Sequence, residues 1–427
     1  MLNNVSERDE MGLNWSEKIY RTGDTLLLTA FGEESRENGF LQQVLKVRGR
    51  PKILTMGPYL YYQDMTQRPN LLAFSQGEPP LKAPLANCWI VERQTATEAP
   101  NYYITTDWKH YRQLSHVSPQ ARINWLTADI LRWRQIDGTL GEGILYKPED
   151  FDSRKKYPVI IHYYEQLTHR LNEFPVAGLT KGDLNIPWFV SRDYLVFTPD
   201  IHYRLGRESG KTIGWYAFNA VESAAKFLST LPYVDNQRLG LQGHSLGALE
   251  TNYMITHSHR FAAAAEFAGP TDLVSWYLSL APNWESSEDH VDFLQSFAET
   301  GQPRIGATLW KRPELYLEQS AVLRADQVST PLLITNNKKD GISLWRQAVE
   351  LYMALRRLYK PVWMLQYDEG DHVIGGKEAL DYTLRLTQFF DYYLKGKQPP
   401  EWMTVGVPAS LKGLDLRLNI DSSGAKP

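Results

Sequence analysis

The 427-residue chain has very little cysteine, with Cys88 as its single example. One cysteine cannot form an internal disulfide or supply a cysteine-based metal site, so both are excluded. The chain also lacks an excess of charge of one sign. It has 46 Lys and Arg residues and 49 Asp and Glu residues, which gives a formal net charge of −3. Such a balance provides no basic field for nucleic acid. We therefore predict no nucleic-acid partner.

Long hydrophobic runs are missing as well. No stretch reaches the roughly 18 apolar residues that predict a transmembrane helix, so no membrane partner is expected. The first ten residues have no basic start followed by an apolar run, which argues against a signal peptide. We expect a soluble chain that is cytoplasmic as it stands. A periplasmic or secreted location stays open in case the chain is a fragment of a longer protein.

Aromatic residues are abundant, at 12% of the chain with 24 Tyr and 13 Trp, which excludes a disordered chain. The length predicts two or three domains. In the first 120 residues, short apolar runs at 25–31, 41–47, 87–92 and 102–105 are separated by turn residues, a pattern typical of strands. We predict an all-β region here, and the sequence leaves sandwich, barrel and propeller open.

From about residue 146 the pattern changes to strands that alternate with helices. Predicted strands cover 157–164, 194–198, 238–242, 331–335 and 361–367, and predicted helices cover 215–230, 246–256, 344–358 and 378–394. This alternation predicts an α/β fold with a mostly parallel, doubly wound sheet covered on both faces. We place the boundaries so that 1–120 is the β region, 121–400 the α/β domain and 401–427 a tail. The polar segment 279–320 is interpreted as an insertion.

The strongest local motif is the pentapeptide Gly243, His244, Ser245, Leu246, Gly247. A serine between two glycines at this spacing matches a nucleophile elbow, a tight turn that lifts the serine side chain above the sheet. The predicted strand directly before it and the predicted helix directly after it supply the context that an elbow requires. The alternative is a strand-to-helix turn without chemistry.

A serine nucleophile needs a base and a residue that orients the base, and in this fold class they follow in the order Ser, Asp, His. Asp340 and His372 each follow a predicted parallel strand, and the ends of such strands share one edge of the sheet with Ser245. His372 is the one histidine downstream of Asp340. Asp371 is an alternative partner for the imidazole, although adjacent residues of an extended loop usually point apart.

With these residues in place, residues 121–400 resemble the catalytic domain of the prolyl oligopeptidase family of serine peptidases, in its bacterial dipeptidyl-peptidase-like branch. The stretches that carry the resemblance are 142–148, 156–160, 186–189, 197–200, 241–245, 251–253, 301–306, 351–357 and 360–364. The family's triad falls on Ser245, Asp340 and His372. The β-rich N-terminal part also resembles the last blades of the family's β-propeller, notably at residues 101–107.

The resemblance implies an oxyanion hole formed by the backbone N–H of Leu246 and the hydroxyl of Tyr164. Tyr163 is expected on the opposite face, because side chains of a strand alternate. The resemblance further suggests Tyr277, Trp276 and Trp215 as walls of a pocket for a small residue such as proline, with ordinary core aromatics as the alternative. No cofactor is expected. His257 and His259 have a metal-like spacing, but no third ligand is evident, so no metal is expected.

The function predicted from these residues is a serine peptidase that acts on a peptide substrate through an acyl-enzyme. A carboxylesterase on the same fold and a non-catalytic binding protein are the alternatives. About 120 residues remain outside the α/β domain, too few for a whole seven- or eight-bladed propeller at roughly 40–50 residues per blade. We therefore expect a partial propeller. The sequence leaves open the residue preference and the pairing of two copies through the catalytic domain.

Overall fold

A computed structural model of the chain describes residues 21–61, 79–203, 211–281 and 293–427. Two units partition the chain. The first comprises Met1–Ala128 with Thr168–Pro175, and the second comprises Asp129–Leu167 with Val176–Pro427. The return of Thr168–Pro175 to the first unit is a feature that no sequence pattern indicates. The division predicted at residue 120 stays a prediction.

The first unit contains two antiparallel sheets. One has the order β1-β2-β3, with β1 (Thr25–Phe31), β2 (Asn38–Val44) and β3 (Lys52–Gly57). The other has the order β4-β5-β6-β7, with β4 (Leu81–Lys82), β5 (Trp89–Arg93), β6 (Asn101–Thr105) and β7 (Arg112–Gln113). Strand β1 has the predicted bounds, whereas β2 begins three residues earlier than predicted. This all-β region is propeller-like, as expected.

Aromatic side chains form the core of this unit. The ring of Trp108 lies 4.9 Å from that of Phe40 and 5.1 Å from that of Trp89, centroid to centroid. Tilted pairs at such distances add to the stabilisation that area burial alone provides. The high aromatic content of the sequence is therefore used here to fill a small core between short strands.

The second unit is built on an eight-stranded sheet with the order β15-β14-β13-β12-β10-β11-β9-β8. Its strands are β8 (Leu126–Arg134), β9 (Leu140–Pro148), β10 (Tyr157–Tyr163), β11 (Leu195–Pro199), β12 (Val234–His244), β13 (Ala263–Phe267), β14 (Leu332–Asn337) and β15 (Val362–Tyr367). Strands β10 to β15 pair in parallel, and β9 pairs antiparallel with β11. The predicted mostly parallel α/β fold is confirmed.

Helices cover both faces of this sheet. They are α1 (Ile186–Val190), α2 (Ile213–Leu228), α3 (Leu246–His257), α4 (Leu273–Tyr277), α5 (Phe293–Thr300), α6 (Pro313–Glu318), α7 (Trp345–Arg357), α8 (Gly376–Lys395) and α9 (Glu401–Thr404). Alternation along β12 shows the two faces. Leu239 and Leu241 pack with α2 and α3, whereas a Cβ at Gly240 would lie 2.8 Å from Leu394 of α8.

Short 3₁₀ helices cover Pro119–Arg122, Thr168–Arg170, Ala321–Gln327 and Ala409–Leu411. The segment predicted as an insertion, 279–320, lies between β13 and β14, and its described part contains α5 and α6. The rest of it, at 282–292, lies outside the described residues. Among the helices that the structure describes, none combines the length and apolarity needed to cross a lipid bilayer.

Candidate active site

The pentapeptide at 243–247 forms a sharp turn between β12 and α3. Ser245 stands at the turn with φ +56° and ψ −116°, a conformation that side-chain-bearing residues rarely adopt. Its backbone N–H donates to the carbonyl of Phe267 at 2.8 Å, which ties the turn to β13. This is the strained strand-to-helix geometry of a nucleophile elbow.

The two glycines of the motif are required by close backbone contacts. A Cβ on Gly243 would lie 2.0 Å from the carbonyl oxygen of Gly247, and a Cβ on Gly247 would lie 2.4 Å from that of Tyr163. Neither distance is sterically acceptable, and the neighbours in both cases are backbone atoms that cannot rotate away. The glycine spacing read from the sequence therefore has a direct structural cause.

Ser245, His372 and Asp340 are brought together at the carboxyl edge of the sheet. The Nε2 atom of His372 lies 2.8 Å from Ser245 Oγ, and its Nδ1 lies 3.0 Å from Asp340 Oδ2. The three side chains come from the turns after β12, β14 and β15. The arrangement links a hydroxyl, an imidazole and a carboxylate in one hydrogen-bonded chain.

The local structure fixes the Asp340 carboxylate. Its side chain is fully buried, and Oδ1 accepts hydrogen bonds from the backbone N–H groups of Ile342 at 2.9 Å and Ser343 at 2.8 Å. Such bonds hold the carboxylate in a fixed orientation. Oδ1 of the alternative partner, Asp371, accepts a hydrogen bond from the backbone N–H of His372 at 2.8 Å, whereas the imidazole Nδ1 bonds to Asp340.

Tyr163 and Tyr164 point to different surroundings, as alternation predicts. Tyr163 is buried in the main core, and its hydroxyl lies 2.8 Å from Thr251 Oγ1. Tyr164 packs against the cluster that contains Leu246, the first residue of α3. Burial raises the pKa of Tyr164 well above its usual value, and contacts with the side chains of Gln302 and Ser245 oppose this shift.

Leu246 offers a backbone donor at the same place. The first N–H groups of a helix have no partner within the helix, and Leu246 opens α3 directly after Ser245. The side chain of Leu246 is buried, so the residue is held in position by packing as well as by the turn. The N–H of Leu246 and the hydroxyl of Tyr164, which contacts the Ser245 side chain, are thus two hydrogen-bond donors beside Ser245. Their role as donors to an oxyanion stays a prediction.

The pocket candidates have different settings. Trp276 and Tyr277 are almost fully buried beside Leu246. The indole Nε1 of Trp276 donates to the carbonyl of Ile342 at 2.7 Å, and the hydroxyl of Tyr277 donates to Glu299 at 2.7 Å. Trp215 packs instead against the main core. Their role in a substrate pocket stays a prediction.

Sequence reasoning missed a group of residues around Tyr164. The amide of Gln302 contacts the Tyr164 hydroxyl, with Nε2 at 2.8 Å. Arg304 forms a buried ion pair with Glu165 at 2.9 Å. In the sequence, the stretch 301–306 stands out only through the family resemblance, because nothing in its spacing indicates a contact with a residue 138 positions away.

The two histidines with metal-like spacing are engaged elsewhere. His257 Nδ1 lies 2.8 Å from the carbonyl oxygen of Tyr253, and His259 Nδ1 lies 2.9 Å from Ser329 Oγ. Among the described residues, one other group could gather ligand atoms, namely Glu142, Asp200 and His202, within 4.8 Å of one another. Both of its carboxylates already accept hydrogen bonds from the protein, so the group alone does not define a metal site.

The eight-stranded sheet, the elbow and the Ser-His-Asp arrangement place the second unit in the class of α/β-hydrolase folds. The model of the prolyl oligopeptidase family matches residues 181–397, half of the chain. The chain belongs to the prolyl oligopeptidase family.

Individual relatives are distant. The chain is 23% identical over 260 residues to dipeptidyl-peptidase 5 of Porphyromonas gingivalis, covering 58% of this chain and 35% of that protein. It is 25% identical over 266 residues to the lasso peptide isopeptidase AtxE2 of Asticcacaulis excentricus, covering 60% of this chain and 36% of that protein. The chain therefore spans about a third of these curated relatives.

Solved structures show the same fold. The structure of apo AtxE2 isopeptidase matches with a TM-score of 0.65 and 18% identity, covering 93% of this chain and 56% of that one. The acylaminoacyl peptidase of Pyrococcus horikoshii matches with a TM-score of 0.61 and 19% identity, covering 88% and 55%. At these identities the likeness establishes the fold alone.

Proposed function

We propose that this chain is a serine peptidase in which Ser245 is the nucleophile, His372 the general base and Asp340 the residue that orients the base. The observation that carries the proposal is the continuous hydrogen-bonded chain from Ser245 Oγ through both nitrogens of His372 to Asp340. The order Ser, Asp, His along the chain is that of α/β-hydrolase triads.

In the proposed acylation step, Ser245 Oγ attacks the carbonyl carbon of the scissile amide while its proton moves to His372 Nε2. The tetrahedral intermediate collapses when the carbon–nitrogen bond breaks, and His372 gives the proton to the departing amine. The carboxylate of Asp340 keeps the hydrogen on Nδ1, so that Nε2 is free to accept. The product of this half-reaction is an acyl ester on Ser245.

Deacylation repeats the chemistry with water. His372 takes a proton from a water molecule, the resulting hydroxide adds to the ester carbonyl, and the proton returns to Ser245 Oγ as the ester bond breaks. In both steps negative charge develops on the carbonyl oxygen. The N–H of Leu246 and the hydroxyl of Tyr164 are the proposed donors to that oxyanion.

The proposed substrate is a peptide or a similar amide. Dipeptidyl-peptidase 5, the AtxE2 isopeptidase and the acylaminoacyl peptidase are all named as peptidases, which supports an amide rather than an ester as the substrate. Cleavage after proline or another small residue remains the expectation from the family resemblance. The carboxylesterase alternative uses the same residues, so it has to be separated by substrate.

The test is labelling with a fluorophosphonate probe, which reacts covalently with an activated serine. We expect wild-type protein and the control Ser153→Ala, an exposed serine in the same unit, to be labelled, and Ser245→Ala not to be labelled. Turnover of Xaa-Pro amides and of short p-nitrophenyl esters is then compared. Folded wild-type protein that resists labelling would refute an active serine, and turnover of esters alone would favour the esterase.

A further inference from the structure

The hydroxyl of Tyr164 is held by one side chain from a distant part of the chain. Nε2 of Gln302 lies 2.8 Å from the Tyr164 oxygen, and Oε1 of the same amide lies 3.1 Å from it. Both ends of the amide therefore face the phenol. Gln302 belongs to the segment after α5, far from β10 in sequence, so only tertiary packing creates this contact.

The hydrogen-bonding capacity of the two groups has a consequence for an oxyanion. A tyrosine hydroxyl has one hydrogen to donate and can also accept, whereas the NH₂ of an amide only donates. When Nε2 of Gln302 donates to the Tyr164 oxygen, the hydrogen of Tyr164 is left for another acceptor. When that hydrogen goes instead to Oε1 of Gln302, it is not available to an oxyanion.

The backbone around Gln302 is anchored next to Tyr164. Arg304 donates to the carbonyl of Gln302 at 2.7 Å, and its guanidinium pairs with Glu165, the residue directly after Tyr164. Both side chains of this ion pair are more than nine-tenths buried. The guanidinium also lies 4.7 Å from the ring centre of Tyr203, whose hydroxyl oxygen lies 3.3 Å from the carbonyl oxygen of Tyr164. Removing one partner of such a buried pair is costly, so the pair holds the two segments firmly together.

We propose that Gln302 is a positioning residue of the oxyanion site, which rests on the function proposed above. The shorter of its two contacts is the one in which the amide donates, and that contact leaves the Tyr164 hydrogen directed at the substrate oxyanion. Gln302 also polarises the phenol, because donation to a hydroxyl oxygen strengthens the bond that the hydroxyl itself donates.

The test is a double-mutant cycle in kcat/KM with the substrate that wild type cleaves best. Gln302→Leu removes both hydrogen-bonding atoms at similar volume, and we expect kcat to fall about three- to tenfold with KM nearly unchanged. Gln302→Glu can only accept from Tyr164 and adds a negative charge, so its loss should be larger. Gln327→Leu, the same change at an exposed glutamine, should behave as wild type.

The decisive comparison is the effect of Gln302→Leu in a protein that already carries Tyr164→Phe. There the Gln302→Leu change should alter kcat/KM by less than about twofold, because the group that Gln302 positions is gone. An equal loss in both backgrounds, or a Gln302→Leu enzyme as active as wild type, overturns the proposal. Should Gln302→Leu fail to fold, the same cycle is completed with Gln302→Glu.

A measurement that needs no turnover separates this proposal from the function on which it rests. Incorporation of 3-fluorotyrosine at position 164 gives one fluorine NMR signal, which should shift in Gln302→Leu and stay in place in Gln327→Leu. An unmoved signal refutes the contact itself. A shifted signal in a protein that neither labels nor turns over substrate refutes the peptidase proposal and, with it, a catalytic purpose for the contact.

Discussion

The imidazole of His244 is hydrogen-bonded to the main chain of His372, because its Nε2 lies 2.9 Å from the His372 carbonyl oxygen. Its other nitrogen, Nδ1, lies 3.4 Å from Asp183 Oδ1. A carbonyl and a carboxylate only accept hydrogen bonds, so the doubly protonated ring satisfies both partners. The rings of His244 and His372 are 5.1 Å apart. His244, the residue before the proposed nucleophile, thus holds the loop of His372, the proposed base, in position.

Replacing His244 should weaken the positioning of the His372 loop while leaving the Ser245 side chain itself unchanged. We expect His244→Met to lower kcat/KM by up to about tenfold, because one hydrogen bond that orders the His372 loop is lost. His244→Gln keeps an N–H donor of similar reach and should recover part of the activity. Steady-state kinetics of the two variants, with circular dichroism to establish folding, makes the comparison. Equal activities of the Met and Gln variants would contradict a role for the donor.

Asp183 should make stability depend on pH through His244. Burial lowers the pKa of His244, but the hydrogen bond and charge of Asp183, the hydrogen bond to the His372 carbonyl and the charge of Asp340 together outweigh it. The pKa of His244 therefore ends above its usual value. A group with a raised folded pKa contributes stability that is full below the unfolded pKa and is lost as pH rises through the folded pKa.

Asp183→Asn should therefore destabilise the protein at about pH 5.5 and have little effect at alkaline pH. The loss should stay below about 1 kcal/mol, since the Asp183 side chain is 65% exposed and screened by solvent. Urea unfolding of both proteins at several pH values measures it. A difference that does not change with pH would contradict the assignment to His244.

Substituting the proposed oxyanion donor should lower kcat much less than substituting the proposed nucleophile. Tyr164→Phe removes one donor, and we expect kcat to fall about 100- to 1,000-fold. Ser245→Ala removes the nucleophile and should cost about a million-fold. Tyr163→Phe is the matched control, because Tyr163 bonds to Thr251 inside the core and should affect stability more than rate. A Tyr164→Phe enzyme with wild-type kcat would exclude the hydroxyl from the reaction.

Because of Glu250, the free energy of unfolding should decrease as the pH rises. It is completely buried, and burial raises its pKa well above the usual value, with a hydrogen bond from Tyr203 and the charge of Arg304 opposing. The unfolded carboxyl ionises at about pH 4.3 while the folded one stays protonated, so stability is lost from that pH upward to the folded pKa.

Glu250→Gln should therefore gain stability over wild type above about pH 5, by about 1.4 kcal/mol per pH unit until the folded pKa is reached. Tyr203 can still donate to the amide oxygen of the variant. Chemical denaturation between about pH 4 and pH 8 gives the difference. The control Glu149→Gln changes an exposed glutamate and should show no such trend. A constant difference between variant and wild type would show that Glu250 does not titrate on unfolding.

The elbow should tolerate no side chain at Gly247. Its Cβ would stand 2.4 Å from the carbonyl oxygen of Tyr163, so Gly247→Ala must displace α3 from β10. We expect a loss of about 1–3 kcal/mol in stability and a strong loss of probe labelling at Ser245. Gly178→Ala, where the nearest atom would be 3.8 Å away, should leave both unchanged. Normal labelling of Gly247→Ala would mean that the turn adjusts freely.

Much of the scaffold followed from local sequence patterns. The alternation of apolar strands and amphipathic helices predicted the parallel sheet, and α3 begins at the predicted residue, Leu246. Element ends were less well predicted: β12 begins at Val234, four residues before the prediction. Residues 235–238 are polar and carry no strand signal, and the pairing of Val234 is set by β10. Strand signals are carried by apolar residues, and ladder hydrogen bonds extend beyond them.

For the candidate site, the sequence by itself determined the elbow and the order of Ser245, Asp340 and His372. These depend on residue types next to each other in the chain and on the rule that parallel strands end at one edge. Only the tertiary structure decided which side chains hold them. The contacts of Gln302 with Tyr164 and of His244 with the His372 carbonyl join residues more than 120 positions apart. Such contacts arise from how loops pack on the finished sheet, and no local spacing encodes that packing.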